Sequence, residues 1–379
     1  MKNRFVLILL LSSIFCLAQS AQTEKINIKI LIDSAANRMI KKPLIHSTSI
    51  AIVYKGKEFI GHYGELEKGK NNCPNNETIY EIGSLSKTFA GTLAAEAVIQ
   101  NKLNIEEDIQ KYLPEDYPNL KYGKQPILIK HLLSHTSCLP NMLPLEANTI
   151  LENFTNHDTP AKINELYKNY SEKDFLRDLH KVKIDSVPGY KYQYSSAGSQ
   201  LIAFVLEKIY KTKYEKLLTD YLIKNMDMQN TKISLSAQEA KKLAVGYHSD
   251  NPVITTPMPE LPWGASGNMK STIPDMVKYI KYELKNNKVV AESHQPIVKF
   301  DKEFSIGYFW NIATDDKELG TFYLHHGGVP RSQCYIYIVP KYDLGAFIIT
   351  NQSGNDTARI MEDALNEIFE KIKATEKSS

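Results

Sequence analysis

Strand-type runs at the two ends of this chain, with helical periodicity between them, limit its fold more than any other feature of the sequence. Apolar positions recur at helical spacing over 26–40 (Ile28, Leu31, Ile32, Ala35, Met39), which predicts an amphipathic helix. Two β-type runs follow, 48–54 and 58–63, joined by Lys55-Gly56-Lys57, a hairpin signal. From about 81 to 291 the patterns are mostly helical and broken by Pro- and Gly-containing loops. Strand-type runs then return at 304–312, 321–325, 333–339 and 344–350, and a last helix is expected over 356–372. The expected class is α/β: a mainly antiparallel sheet built from both termini with flanking helices, plus an inserted all-helical region. Segments 21–66 and 300–379 supply the sheet part and 67–299 the helical part, with a cleft between them. No internal repeat and no low-complexity linker divides the chain further.

The 379 residues suit one large domain or two intertwined ones. Hydrophobic residues at 42% and charged residues at 23% exclude a largely disordered chain. Residues 1–20 read as a signal peptide: Lys2 and Arg4 precede an apolar run, and Ala18, Ser20 and Ala21 offer small residues for cleavage. Bulky Phe15 before Cys16 disfavours a lipoprotein site. The apolar run is too short to span a bilayer comfortably, so the expectation is an exported protein, periplasmic or secreted, without stable membrane insertion. The formal charge of +3 falls to about +1 once Lys2 and Arg4 are removed, which leaves no electrostatic reason to bind nucleic acid. Of the cysteines beyond the leader, Cys73, Cys138 and Cys334, none forms a Cys-x-x-Cys pair. At most one internal disulfide is open to them, and small buried side chains are the favoured reading.

Three segments carry chemistry. Ser84 is the only serine followed three residues later by a lysine, Lys87, and positions three apart share a helix face. A desolvated lysine beside a serine hydroxyl is a base beside a nucleophile. Tyr194, in Tyr194-Ser195-Ser196, is a second proton-transfer candidate if a cation stabilises its phenolate. His325-His326-Gly327-Gly328 follows a strand-type run, where glycines let a substrate lie against a strand edge and meet backbone N–H groups. An ordinary hairpin turn accounts for the same residues. His131 and His135 stand at metal-ligand spacing, but no glutamate follows His131, and no metal or organic cofactor is expected.

The order and spacing of these segments resemble the serine β-lactamase and penicillin-binding-protein family, particularly its class C-like branch. Ser-x-x-Lys is followed about 110 residues later by Tyr-x-Ser and about 130 further by His-x-Gly. The segment Leu132-Leu133-Ser134-His135-Thr136-Ser137-Cys138-Leu139-Pro140 is close to the family's LLSHTSGLP stretch. Ile79-Tyr80-Glu81-Ile82-Gly83-Ser84 and Gly264-Ala265-Ser266-Gly267-Asn268 match other family segments, over about 45 to 370 in all. The resemblance implies acyl transfer: Ser84 as the acylated nucleophile, Lys87 as its partner and Tyr194 as the proton shuttle. Backbone N–H groups of Ser84 and Gly328 form the implied oxyanion hole, and Ser196, His325, Gly327 and Arg331 face the substrate.

Two departures bear on the substrate. Ser196 replaces the asparagine of Tyr-x-Asn, and His325 replaces the lysine of Lys-Thr-Gly, as in esterase and D-aminopeptidase-like relatives. Cys138 and Arg331 stand where the family pattern has glycine. A His325 ring titrating near the ordinary value of about 6.5 would bind a carboxylate in its protonated form, with Arg331 as a second anion contact. The expectation is a serine hydrolase acting on an amide or ester of a small-molecule or peptide-like substrate. A true β-lactamase or D-Ala-D-Ala carboxypeptidase, and a penicillin-binding sensor without turnover, are the competing readings.

Overall fold

The computed structural model describes residues 27–251, 253–285 and 287–377; the expected leader, with Cys16, lies outside them. The chain builds an eight-stranded, wholly antiparallel sheet from β1 (Ser47–Tyr54), β2 (Lys57–Gly64), β3 (Val298–Lys299), β4 (Phe304–Gly307), β5 (Trp310–Asp316), β6 (Gly320–Val329), β7 (Ser332–Val339) and β8 (Leu344–Thr350). The strand order is β2-β1-β8-β7-β6-β5-β4-β3, so β1 from one end of the chain pairs directly with β8 from the other. The α/β fold expected from the sequence is the fold observed.

Alternation along each strand assigns its two faces. Ile50, Ile52, Ala346 and Ile348 point into one core with α1 (Ile28–Ile40) and the last helix, Asn355–Lys377. Ala51, Val53, Phe347 and Ile349 point into the larger core, under α2 (Ser86–Ile99) and α3 (Ile273–Leu284). Helix α2 is apolar on nearly every side and buried at every position from Ser86 to Ala95, as a helix in the middle of a core must be. Lys87 therefore enters the interior because its helix does.

The run expected over 304–312 is two strands. Tyr308 and Phe309, both at positive φ, make the turn between β4 and β5. The Tyr308 carbonyl oxygen lies where a Cβ on Gly91 of α2 would be, 2.1 Å away, and Phe309 N–H donates to the Leu133 carbonyl at 2.8 Å. That docking projects the Phe309 ring toward the cleft. The Gly327-Gly328 pair also differs from a hairpin turn: both glycines lie inside β6, and the turn is Pro330-Arg331. The three cysteines among the described residues are free; Cys138 and Cys334 are buried as expected, whereas Cys73 is exposed. Cys138 has φ +60°, the left-handed backbone that favours the glycine it replaces.

Candidate active site

Ser84 lies in the single 3₁₀ turn Gly83–Leu85 that opens α2, where backbone N–H groups lack partners within the helix. Three residues on, the Lys87 Nζ comes within 3.1 Å of Ser84 Oγ and donates to the Ser266 carbonyl at 2.7 Å. Burial without an acidic partner pulls the Lys87 amine down to about 7. The Tyr194 hydroxyl donates to Ser84 Oγ at 2.7 Å, and Lys87 Nζ lies 4.8 Å from the Tyr194 ring centroid. Burial pushes the Tyr194 phenol up, with the Ser84 hydrogen bond opposing in part. The phenol is thus held as a proton donor, and the amine is the group poised to take a proton near neutrality.

The 132–141 stretch cradles the tyrosine loop. The Gln193 N–H donates to the His135 carbonyl at 2.7 Å, the Ser195 N–H to His135 Nδ1 at 3.2 Å and the Ser195 hydroxyl to the Pro140 carbonyl at 2.7 Å. Ser195 also caps the helix Ser196–Tyr210, accepting from Gly198 N–H at 2.9 Å. The His135 ring packs against those of Tyr194 and Phe309, with centroids 4.5 and 5.2 Å away. His131 spends its Nδ1 on the Leu128 N–H at 3.1 Å. Each Nδ1 of the two histidines is thereby committed to a backbone amide.

The strand edge supplies the other wall. With Pro330-Arg331 as the loop, Val329 pairs with Ser332 and Gly327 with Cys334. Hydrogen-bonding direction alternates along an antiparallel strand, so Gly328 and His326 turn their N–H and C=O groups the opposite way. Pairing with β5 ends at Leu324, which leaves that edge open beside Ser84. Gly83 and Gly328 meet backbone to backbone: a Cβ on Gly83 would sit 2.7 Å from Gly328 N. The Gly328 nitrogen, one of the two N–H groups expected to form an oxyanion hole, thus lies beside the residue that precedes Ser84.

Four residues were expected to face the substrate, and the fold separates them. Ser196 lines one lobe of the cleft and His325 the other. Gly327 does neither: its missing Cβ would strike the Ile82 carbonyl oxygen at 2.1 Å, so it faces inward and permits close packing. Arg331 lines neither lobe. It is half-buried in the turn with Gly246 against its backbone, and its charged neighbour is the Glu81 carboxylate. His325 also departs from expectation in its charge. Burial, then the Lys87 charge, push its pKa down to about 3, so the ring is neutral throughout the ordinary pH range. Its Nδ1 lies 2.8 Å from the His326 carbonyl oxygen, which accepts only, so Nδ1 carries the proton and Nε2 keeps its lone pair.

Asn141 was not singled out from the sequence. Its Oδ1 accepts the Ser196 N–H at 3.3 Å and its side chain lines the cleft beside Ser196. Its position directly after Pro140 of the family-like stretch was the available signal.

The Beta-lactamase family model matches residues 33–368. Protein flp of Staphylococcus aureus (strain MRSA252) is 25% identical over 343 residues, covering 87% of this chain and 64% of that protein. A beta-lactamase of Providencia stuartii is 28% identical over 267 residues, covering 70% of this chain and 62% of its own length. The chain thus spans under two thirds of each of these curated relatives. Among solved structures, a beta-lactamase/D-alanine carboxypeptidase from Yersinia pestis superposes with a TM-score of 0.75 at 20% identity, over 92% of this chain and 98% of that one. A class C beta-lactamase superposes at 0.73 and 20%, over 91% and 98%. At such identity these two structures speak for the fold. The family match over most of the chain decides the rest: this chain belongs to the beta-lactamase family of serine hydrolases.

Proposed function

We propose that the chain is an exported serine hydrolase that cleaves an amide or ester bond of a small-molecule or peptide-like substrate through an acyl-enzyme on Ser84. One observation carries this reading: Ser84 Oγ lies between Lys87 Nζ at 3.1 Å and the Tyr194 hydroxyl at 2.7 Å. Neutral Lys87 takes the Ser84 proton as Oγ bonds to the substrate carbonyl carbon. The oxygen that gains the charge is held by the N–H groups of Ser84 and Gly328. Tyr194 then gives its proton to the departing oxygen or nitrogen as that bond breaks, and recovers one from the Lys87 ammonium. Water attacks the acyl-enzyme by the reverse sequence and releases the acid.

Export rests on the leader-like composition of residues 1–20, and no helix among the described residues is long and apolar enough to cross a membrane. The competing reading, β-lactam turnover, draws on the name of the Providencia stuartii relative. The neutral His325, where that family branch places a lysine, speaks against it. The test is a panel of short-chain p-nitrophenyl esters, D-amino-acid amides and a chromogenic cephalosporin, run beside fluorophosphonate labelling. An adduct on the Ser84 peptide, lost in Ser84→Ala, with turnover beyond one equivalent, is the expected result. A burst of one equivalent and no further product would instead identify an acylating sensor.

A further inference from the structure

Two lobes meet at Ser84, cavities of about 300 and 340 Å³, and they differ in chemistry. One is walled by Met142, Leu151, Phe154, Ile163, Met258 and Leu261, the open side of a small satellite core. The other shares Phe154 with the first and presents His135, Tyr192, Phe309, Asn311 and His325. Among the described residues, no Asp, Glu, Lys or Arg side chain lines either lobe. The nearest basic groups lie outside the lining: Lys87 Nζ is held by Ser84 Oγ and the Ser266 carbonyl, and Arg331 lines neither lobe. The imidazoles of the second lobe do not replace a cation, because burial holds His325, His326 and His135 below the ordinary histidine range.

A carboxylate moved from water into either lobe would lose its hydration without meeting a counter-charge, whereas an apolar chain gains by burial against the aliphatic wall. We propose that the substrate is an uncharged ester or amide with one extended apolar arm, which occupies the Met142–Ile163–Met258 lobe, while its polar, neutral remainder meets the histidine lobe. This inference rests on the acyl-enzyme reading and narrows it to a substrate class.

Two ester series test it: p-nitrophenyl esters with acyl chains from acetate to octanoate, and acetate esters of alcohols of matching lengths. In one series kcat/KM should climb about fourfold per methylene until the lobe is full. Leu151→Trp should lower kcat/KM for the longest members of that series about tenfold more than it lowers that for acetate. A terminal carboxylate on the arm should lower kcat/KM at least tenfold, and Leu151→Lys should recover most of that loss. Flat length dependence in both series, or preference for the carboxylate-ended arm in the unaltered protein, overturns the inference. Acetate turnover that persists in Ser84→Ala would remove the acyl-enzyme reading, and this inference with it. Turnover that needs Ser84 but ignores chain length removes the inference alone.

Discussion

Gly83 and Gly328 touch backbone to backbone, so closely that a methyl group on Gly83 would sit 2.7 Å from the Gly328 nitrogen and 2.9 Å from its carbonyl oxygen. The residue before the nucleophile and the open strand edge are thus able to meet because Gly83 has no side chain. Gly83 also has φ +53°, a conformation that L side chains adopt at a cost.

Gly83→Ala should therefore push β6 away from Ser84 and break the pairing of the two N–H groups. Loss of one oxyanion donor typically costs about 10² to 10³ in kcat. Steady-state kinetics on a p-nitrophenyl ester, with circular dichroism to verify folding, checks this. A folded variant within threefold of the parent kcat would show that the contact does not set the donor geometry.

The pH dependence follows from Lys87. Its amine accepts the Ser84 proton only when neutral, and burial lowers its pKa to about 7. Below that value the ammonium predominates and kcat/KM should fall tenfold per pH unit; above it the profile should level off. His325, pushed down to about 3, contributes no inflection between pH 5 and 9. A profile measured over that range with a neutral ester should show one ascending limb. An additional limb near 6.5 would mean that the histidine titrates in the cleft after all.

Tyr194→Phe removes the proton donor and keeps the ring that packs on His135. Its cost should depend on the leaving group. An amide nitrogen needs a proton to depart and should lose about 10² to 10⁴ in kcat. A p-nitrophenolate leaves unprotonated and should lose at least tenfold less. Equal losses on both substrates would place the role of Tyr194 outside leaving-group protonation.

His135 is a positioning residue whose removal should be felt in stability first. It is 3% exposed, and its Nδ1 satisfies the buried Ser195 N–H. His135→Ala leaves that amide unpaired beside a cavity, at a cost of about 2–4 kcal/mol. His135→Asn, whose side-chain oxygen offers an acceptor, should restore part of it. Urea unfolding of the three proteins gives the comparison, and the Tyr194-dependent amide/ester rate ratio reports whether the tyrosine loop has moved. Equal stability of the Ala and Asn variants would deny the hydrogen bond its role.

The sequence by itself determined what depends on neighbours along the chain. Nearly continuous apolar runs marked β1, β7 and β8, because each strand buries its alternate residues in two different cores, and the Lys55-Gly56-Lys57 hairpin signal marked β2. Three-residue spacing brings Ser84 and Lys87 onto one helical turn without any tertiary contact. The order of the Ser-x-x-Lys, Tyr-x-Ser and His-x-Gly segments was legible for the same reason. Tertiary structure decided whatever depends on residues distant in sequence. His325 reads as a titrating ring along the strand; it becomes a neutral one because the folded chain buries it and sets Lys87 nearby. Arg331 reads as an anion contact, and the Pro330-Arg331 turn carries it toward Glu81 instead. The tight turn at Tyr308-Phe309 interrupts a continuous strand pattern because its backbone docks on Gly91 and Leu133, far away in sequence. The uncharged cleft was invisible for the same cause: its walls come from segments around 141–163, 194–196, 258–267 and 309–333, which only the folded chain brings together.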